Sequence, residues 1–282
     1  LIKVSYHNHT SFSDGKNTPA QMLETAIQEQ FTHFAFTDHI HVKEGVDWTM
    51  DTSDYEAYIA QINSLKSMAP SLKVFAGIEV DWYLGRQTGS WSKYESLQPH
   101  LDFVVGSVHA IEENGMLFFV DGSYEELLEG LEKAFNGDVK KMATRYFETY
   151  NEMLEGLSPN LAAHPDLLRL YTQGKLITTG EDWYMDLLLE TARLMGKLGI
   201  TTEVNMGGDY RKKNGIVYPQ DQFLAILKEN NVKVTVGLDS HSAEMVGAYY
   251  DDSLAVLSRA GFGELAYFED SQWKKSPINI PK

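Results

Sequence analysis

LDFVVGSVH, residues 101–109, is a short run rich in apolar, β-branched and aromatic side chains that ends in a histidine. Strands covered by helices on both faces read this way, because neither side meets water. His109 then stands where such a strand leaves its sheet. Working outward, six more runs of this kind appear: IKVSYHNH (2–9), HFAFTDH (33–39), LKVFAGIEV (72–80), NLAAHPD (160–166), GITTEVNM (199–206) and VKVTVGLDSH (232–241). Stretches of helical length separate them. Residues 18–30 begin with Thr18 as N-cap and Pro19 at the first helical position. Residues 53–68 carry apolar side chains at 58, 59, 62 and 65, one face of a helix. Further helices are expected at 123–135, 141–157, 184–199 and 219–231, with 250–262 closing the chain. Strand and helix alternating about seven times predict an α/β fold, a closed or nearly closed barrel formed by one domain over 1–282. A doubly wound open sheet is the alternative, since periodicity alone does not distinguish closure from an open edge.

Composition narrows the chemistry. The 282 residues include 40 Asp and Glu against 24 Lys and Arg, a formal charge of −16. A field of that sign repels a phosphate backbone, and no basic stripe offsets it, so nucleic acid is not an expected partner. No apolar stretch approaches the roughly 20 residues a membrane span needs, and no signal-like segment opens the sequence. A cytoplasmic protein without membrane contact is expected. Cysteine is absent, so any metal must be held by His, Asp and Glu.

The ends of the runs supply those residues. In SYHNHTSFSDG (5–15), His7 and His9 lie two apart and share one side of a strand, with Asp14 in the loop beyond. The second run ends in Asp38 and His39, the third in Glu79 and Asp81, and the fourth in His109. The fifth ends in His164 and Asp166, the sixth in Glu203 and Asn205, and the seventh in Asp239 and His241. The carboxyl ends of barrel strands share one face, where active sites gather. Six of the nine histidines fall there. His33 and His100 precede their strands and belong to the opposite end, and His41 lies in a loop.

Together YHNHTSFSDG, FTDH, GIEVDW, GSVHA, AAHPDL, EVN and GLDSH resemble the polymerase-and-histidinol-phosphatase (PHP) superfamily, and within it the monofunctional histidinol-phosphate phosphatases. The match runs from about residue 3 to 241. The resemblance implies a distorted seven-stranded (β/α)7 TIM-like barrel and three divalent ions, zinc, manganese or iron. His7, His9, Glu79 and Asp239 would bind the first ion. Glu79 would bridge to a second with His109 and His164, and Asp14, His39 and His241 would take the third. The implied reaction is hydrolysis of L-histidinol phosphate, in histidine biosynthesis, by metal-activated hydroxide attack on phosphorus. Glu79 would act there, and Asp14, His241 or metal-bound water would be the candidates for protonating the leaving alkoxide. Asp38 and Asp166 adjoin ligands and are candidates to orient imidazoles.

A phosphate dianion also calls for a cation outside the metal shell. Arg169, Arg86, Arg211 and Lys212 all follow strand ends, and Gly207 and Gly208 allow the last loop to approach a ligand closely. Glu203 is placed to bond a ligand or the substrate amine. Trp48, Asp81, Trp82 and Tyr83 are candidates to line the organic half of the pocket. Trp82 and Leu238 depart from the family pattern without removing a ligand. Alternatives are a PHP hydrolase of another small phosphomonoester or nucleotide, and a catalytically silent PHP binding module. A non-family metal amidohydrolase shares the HxH pair but would want a lysine bridge where Glu79 stands.

Overall fold

In the computed structural model, which describes residues 1–42, 46–83, 91–207 and 215–279, strands follow one another around a barrel in the order the chain makes them. The first four are β1 (Val4–Ser5), β2 (His33–Phe36), β3 (Lys73–Asp81) and β4 (Phe103–Ser107). A hairpin of β5 (Ala110–Glu113) and β6 (Met116–Phe119) then stands outside the main sheet. The barrel resumes with β7 (Leu161–Ala162), β8 (Thr201–Asn205) and β9 (Val234–Gly237). Every neighbouring pair in the seven-stranded sheet is parallel. The ring closes between its first and last strands by a bridge from Asn8 to Ser240, where His9 N donates to the Ser240 carbonyl at 2.9 Å. The closed α/β barrel, not the open sheet, is therefore the fold.

Burial on both faces explains the runs. β2, β4, β8 and β9 are buried at every residue. Helices Pro19–Gln28, Tyr55–Met68, Val139–Gly156, Asp182–Leu198, Asp221–Glu229 and Tyr250–Arg259 cover the outside. Thr18 caps the first of these in a capping box with Gln21, as its sequence predicts. The strands are shorter than their apolar runs. Past Ser5, the backbone leaves the ladder and finds other partners: Asn8 N donates to the Thr37 hydroxyl at 3.0 Å.

Two hairpins were not expected. Asn114 and Gly115 both have positive φ, 54° and 79°, the turn geometry that joins β5 to β6. Helix Tyr250–Arg259 does not close the chain, because β10 (Glu264–Glu269) and β11 (Gln272–Pro277) follow it. This second hairpin lies across the N-terminal end of the barrel. Phe268 stands 5.1 Å from Phe103, and Trp273 stands 5.4 Å from Tyr6, ring centroid to centroid. Phe268 N donates to the Tyr6 hydroxyl at 2.7 Å. Among the described residues no helix is long and apolar enough to cross a membrane. Arg86, Gly208, Arg211 and Lys212 lie outside the described residues.

Candidate metal centre

At the opposite mouth, side chains from all seven barrel strands or the loops just past them converge. His7 and His9 project to the same side with ring centroids 5.2 Å apart. Asn8 between them points away, donating to the Ala35 carbonyl at 2.9 Å. Glu79 is fully buried at the centre. Its Oε2 lies 3.0 Å from His7 Nε2, 3.4 Å from His9 Nε2 and 3.2 Å from His39 Nδ1. Its Oε1 lies 3.7 Å from His164 Nε2 and 3.9 Å from His109 Nε2. Asp239 Oδ1 approaches His9 Nε2 to 3.3 Å and His7 Nε2 to 3.7 Å. On the outer side, Asp14 Oδ2 faces His241 Nε2 at 3.1 Å.

Donor atoms of four overlapping groups lie within 4.8 Å of one another: His9, Asp14, His39 and His241; His7, His164 and Asp239; His7, His9 and Glu79; and His39, Glu79 and His109. All nine expected ligand residues are brought together. Local backbone geometry serves this convergence. His164 (φ 22°) and Asp239 (φ 51°) lie in the left-handed region, where strain is tolerated when the surroundings over-determine it. Gly15 lets the Asp14 loop fold back onto β1, since a Cβ there would meet the His9 carbonyl at 2.6 Å. At Gly237 a Cβ would fall 1.7 Å from Glu203 Oε2.

Carboxylates behind the cluster set the imidazole orientations. Glu203 Oε1 and Oε2 lie 3.0 and 3.2 Å from His7 Nδ1. Asp81 holds two rings at once: its Oδ2 is 3.3 Å from His39 Nδ1, and its Oδ1 bonds His109 Nδ1. His241 Nδ1 lies 2.8 Å from the Asp239 carbonyl. A carbonyl only accepts, so Nδ1 carries the hydrogen and Nε2 is turned to Asp14. This carboxylate–imidazole arrangement is the one that aims ligating histidines.

Asp38 and Asp166 do not orient imidazoles. Asp38 accepts from Thr10 N at 2.8 Å and from the Ser13 hydroxyl at 2.7 Å, bracing the loop that carries Asp14. Asp166 pairs with Arg169 Nε at 2.9 Å and accepts from Gln220 N at 2.9 Å. Arg169 opens a short helix, Arg169–Thr172, and is buried, with a second nitrogen donating to the Val217 carbonyl. Glu203 is also buried and turns to His7, to His164 N and to Asn205 rather than outward. Asp81 was legible as a strand-end carboxylate, but its two imidazole partners were not.

The electrostatics describe a centre that wants positive charge. Burial opposes protonation of His39, yet Glu79, Asp81 and Asp14 outweigh it and push its pKa up to about 9. His109 is pushed up to about 10 against burial, chiefly by Asp81. His7 is raised well above the usual histidine value despite burial, by Glu203, Glu79 and Asp239. His9 goes the other way, to about 3, through burial and the neighbouring His241 and His39. Burial alone would raise Glu79 and Asp14, but the surrounding imidazoles hold both carboxylates well below their usual range. Neither ring nitrogen of the fully buried His9 has a hydrogen-bond partner, nor has Glu79 Oε1 or His164 Nδ1. Orphaned donors around clustered carboxylates fit divalent cations, whose binding would displace the protons the imidazoles otherwise hold.

A (β/α) barrel with such a cluster at the carboxyl ends of its strands defines the class: metal-dependent enzymes of the TIM-like barrel type. Residues 5–207 match the PHP domain, and the chain belongs to that family. It is 23% identical over 284 residues to a protein of Schizosaccharomyces pombe named "Probable histidinol-phosphatase", covering 95% of this chain and 90% of that one. Among solved structures, the protein hisK of Listeria monocytogenes superposes with a TM-score of 0.81 at 22% identity, covering 89% of this chain and 99% of that one. Histidinol phosphate phosphatase of Lactococcus lactis, solved with zinc, L-histidinol and phosphate, superposes with a TM-score of 0.71 at 22% identity over 98% and 100% of the two chains.

Proposed function

We propose that this chain is a metal-dependent phosphomonoesterase that hydrolyses L-histidinol phosphate to L-histidinol and phosphate, with residues 1–282 acting as one domain in the cytoplasm. The observation that carries the reading is the convergence of nine His, Asp and Glu side chains at one mouth of the barrel, five of the histidines around the buried Glu79. Likeness along nearly the whole chain to proteins named histidinol-phosphatase supports the substrate. Three ions are assigned: the first to His7, His9, Glu79 and Asp239, the second to Glu79, His109 and His164, and the third to Asp14, His39 and His241. Imidazole and carboxylate donors of this kind accommodate zinc, manganese or iron. Bound ions of this kind acidify water and neutralise phosphoryl oxygens.

The chain's own residues do the rest. Glu79 fixes the spacing of the histidines around it. Asp81 and Glu203 hold three imidazoles by their Nδ1 atoms. Asp14 and His241, whose side chains are 28% and 13% exposed at this mouth, stand with bound water as the candidates to supply the proton of the leaving alkoxide. Arg169 is assigned to positioning, because its pair with Asp166 holds the segment that follows His164. Arg86, Arg211 and Lys212 are the remaining candidates for phosphate contact.

Phosphate release should be measured for a panel of small phosphomonoesters with enzyme reconstituted in zinc or manganese, beside a His109→Asn control. A preference for L-histidinol phosphate of about two orders of magnitude in kcat/KM, roughly 2.7 kcal/mol, is the expected result. Equal rates across the panel would leave a PHP hydrolase of another phosphomonoester. No turnover with either metal would favour the silent module.

A further inference from the structure

We propose that Asn205 is a positioning residue of the metal centre: its side-chain amide ties Asp239 to Glu203 and thereby fixes which oxygen of Asp239 is turned to the cations. This rests on the metal-centre part of the reading above and is independent of the substrate.

Asn205 is the last residue of β8, fully buried, with Gly237 of β9 as its register partner. Its backbone is held from the other side by the returning chain. Asn205 N donates to the Tyr218 carbonyl at 2.8 Å, and Tyr218 N donates to the Asn205 carbonyl at 2.9 Å. The returning chain is itself anchored, because Arg169 donates to the Val217 carbonyl and Asp166 accepts from Gln220 N at 2.9 Å. The Asn205 side chain therefore springs from a fixed point between two strand ends.

The hydrogen-bond network assigns the amide. Asn205 Oδ1 accepts from Gly207 N at 2.7 Å, so Nδ2 is the atom turned to the carboxylates. Its two hydrogens meet two acceptors, Glu203 Oε1 at 2.8 Å and Asp239 Oδ2 at 3.3 Å. With Oδ2 engaged in this way, Asp239 presents Oδ1 to the cluster, 3.3 Å from His9 Nε2 and 3.7 Å from His7 Nε2. Asp239 has a positive φ of 51°, and a tether on its carboxylate is one of the contacts that hold such a conformation. Glu203 in turn holds His7 Nδ1 at 3.0 Å and accepts from His164 N at 3.3 Å. One amide thus acts on the buried group of His7, His164 and Asp239 from two directions. It also places a donor between two buried carboxylates, where like charges otherwise disfavour each other.

The test reads cation binding on the full chain without substrate. Zinc affinity is measured by competition with a chromophoric chelator, and metal content by elemental analysis after dialysis. Asn205→Leu keeps the size and branching of the side chain without its donors, and Asn205→Ala removes the side chain. Asn160→Ala is the structural control: Asn160 lies at the sealed end, where its Oδ1 accepts from Val104 N at 2.8 Å and its carbonyl from Trp273 Nε1 at 3.1 Å. Zinc affinity should fall about ten- to a hundredfold in both Asn205 variants, the scale for residues that aim a ligand. Asn160→Ala should lower the urea midpoint and keep wild-type zinc affinity. Circular dichroism checks folding, and if Asn205→Ala is unfolded the volume-conserving Asn205→Leu decides. Wild-type zinc affinity in a folded Asn205 variant, or a loss no larger than that of Asn160→Ala, would overturn the assignment. A wild-type protein that binds neither zinc nor manganese would instead overturn the metal centre itself. If zinc binding falls as stated but another phosphomonoester is preferred, the role of Asn205 stands and only the substrate reading fails.

Discussion

The two ends of one barrel treat the same residue type in opposite ways. His33 opens β2 and His39 follows its end, six positions along the same stretch. At the N-terminal end, His33 sits among Phe75, Tyr267 and Tyr6, and burial with Lys73 nearby drives its pKa down to about 4. At the C-terminal end His39 is buried too, yet its carboxylate neighbours drive it up to about 9. One end is sealed by an aromatic hairpin and disfavours a charged imidazole. The other concentrates acidic groups and demands compensation. Burial by itself therefore says nothing about function; the sign of the field does.

The comparison breaks most sharply at Glu79. Glu79→Gln removes the charge that several histidines share, and activity should fall by more than about a thousandfold, beyond the ten- to hundredfold expected for residues that only aim a ligand. Metal content by elemental analysis should drop with it; a variant that keeps both would remove Glu79 from the centre. At the sealed end, Phe103→Ala empties a fully buried position beneath Phe268 and Tyr6. Denaturant unfolding should show a loss of about 3–5 kcal/mol, while activity per folded molecule is retained.

Asp81→Asn tests the supporting layer. It keeps the shape but weakens the hold on His39 and His109, so metal affinity should fall about ten- to a hundredfold with little change in unfolding midpoint. The smallest effect concerns His33. Its folded pKa lies below the unfolded value near 6.5, so its contribution is fully present above pH 6.5 and is lost as pH falls toward 4. A His33→Phe variant should gain about 1 kcal/mol on the wild-type protein between pH 7.5 and 5.5, read from urea midpoints at the two pH values. Metal binding runs with the opposite protonation logic: protons held by His39 and His109 compete with cations, so affinity should rise with pH up to about 9 to 10.

Much of this was legible before any coordinates. A strand buried on both faces is mostly apolar, so most barrel strands announced themselves, although β8 buries Thr201, Thr202, Glu203 and Asn205. A chain without cysteine can bind metals only through His, Asp and Glu, so those residues at strand ends stood out. The β5–β6 hairpin carries its turn signal at Asn114–Gly115, but its two four-residue strands stand outside the strand–helix alternation that builds the barrel. The β10–β11 hairpin was harder, since its role appears only when Phe268 and Trp273 meet Tyr6, a partner more than two hundred and fifty residues away.

By itself the sequence determined the alternation of strands and helices and the set of side chains at one mouth of the barrel. Both follow from local rules, the period of buried apolar residues and the chemistry of donor atoms. Only the tertiary structure decided which carboxylate serves which imidazole. Glu203 reaches His7 across 196 positions, Asp81 divides itself between His39 and His109, and Arg169 closes on Asp166 inside the protein. Such pairings depend on angstrom-scale distances between strands far apart in sequence, and no spacing along the chain encodes them.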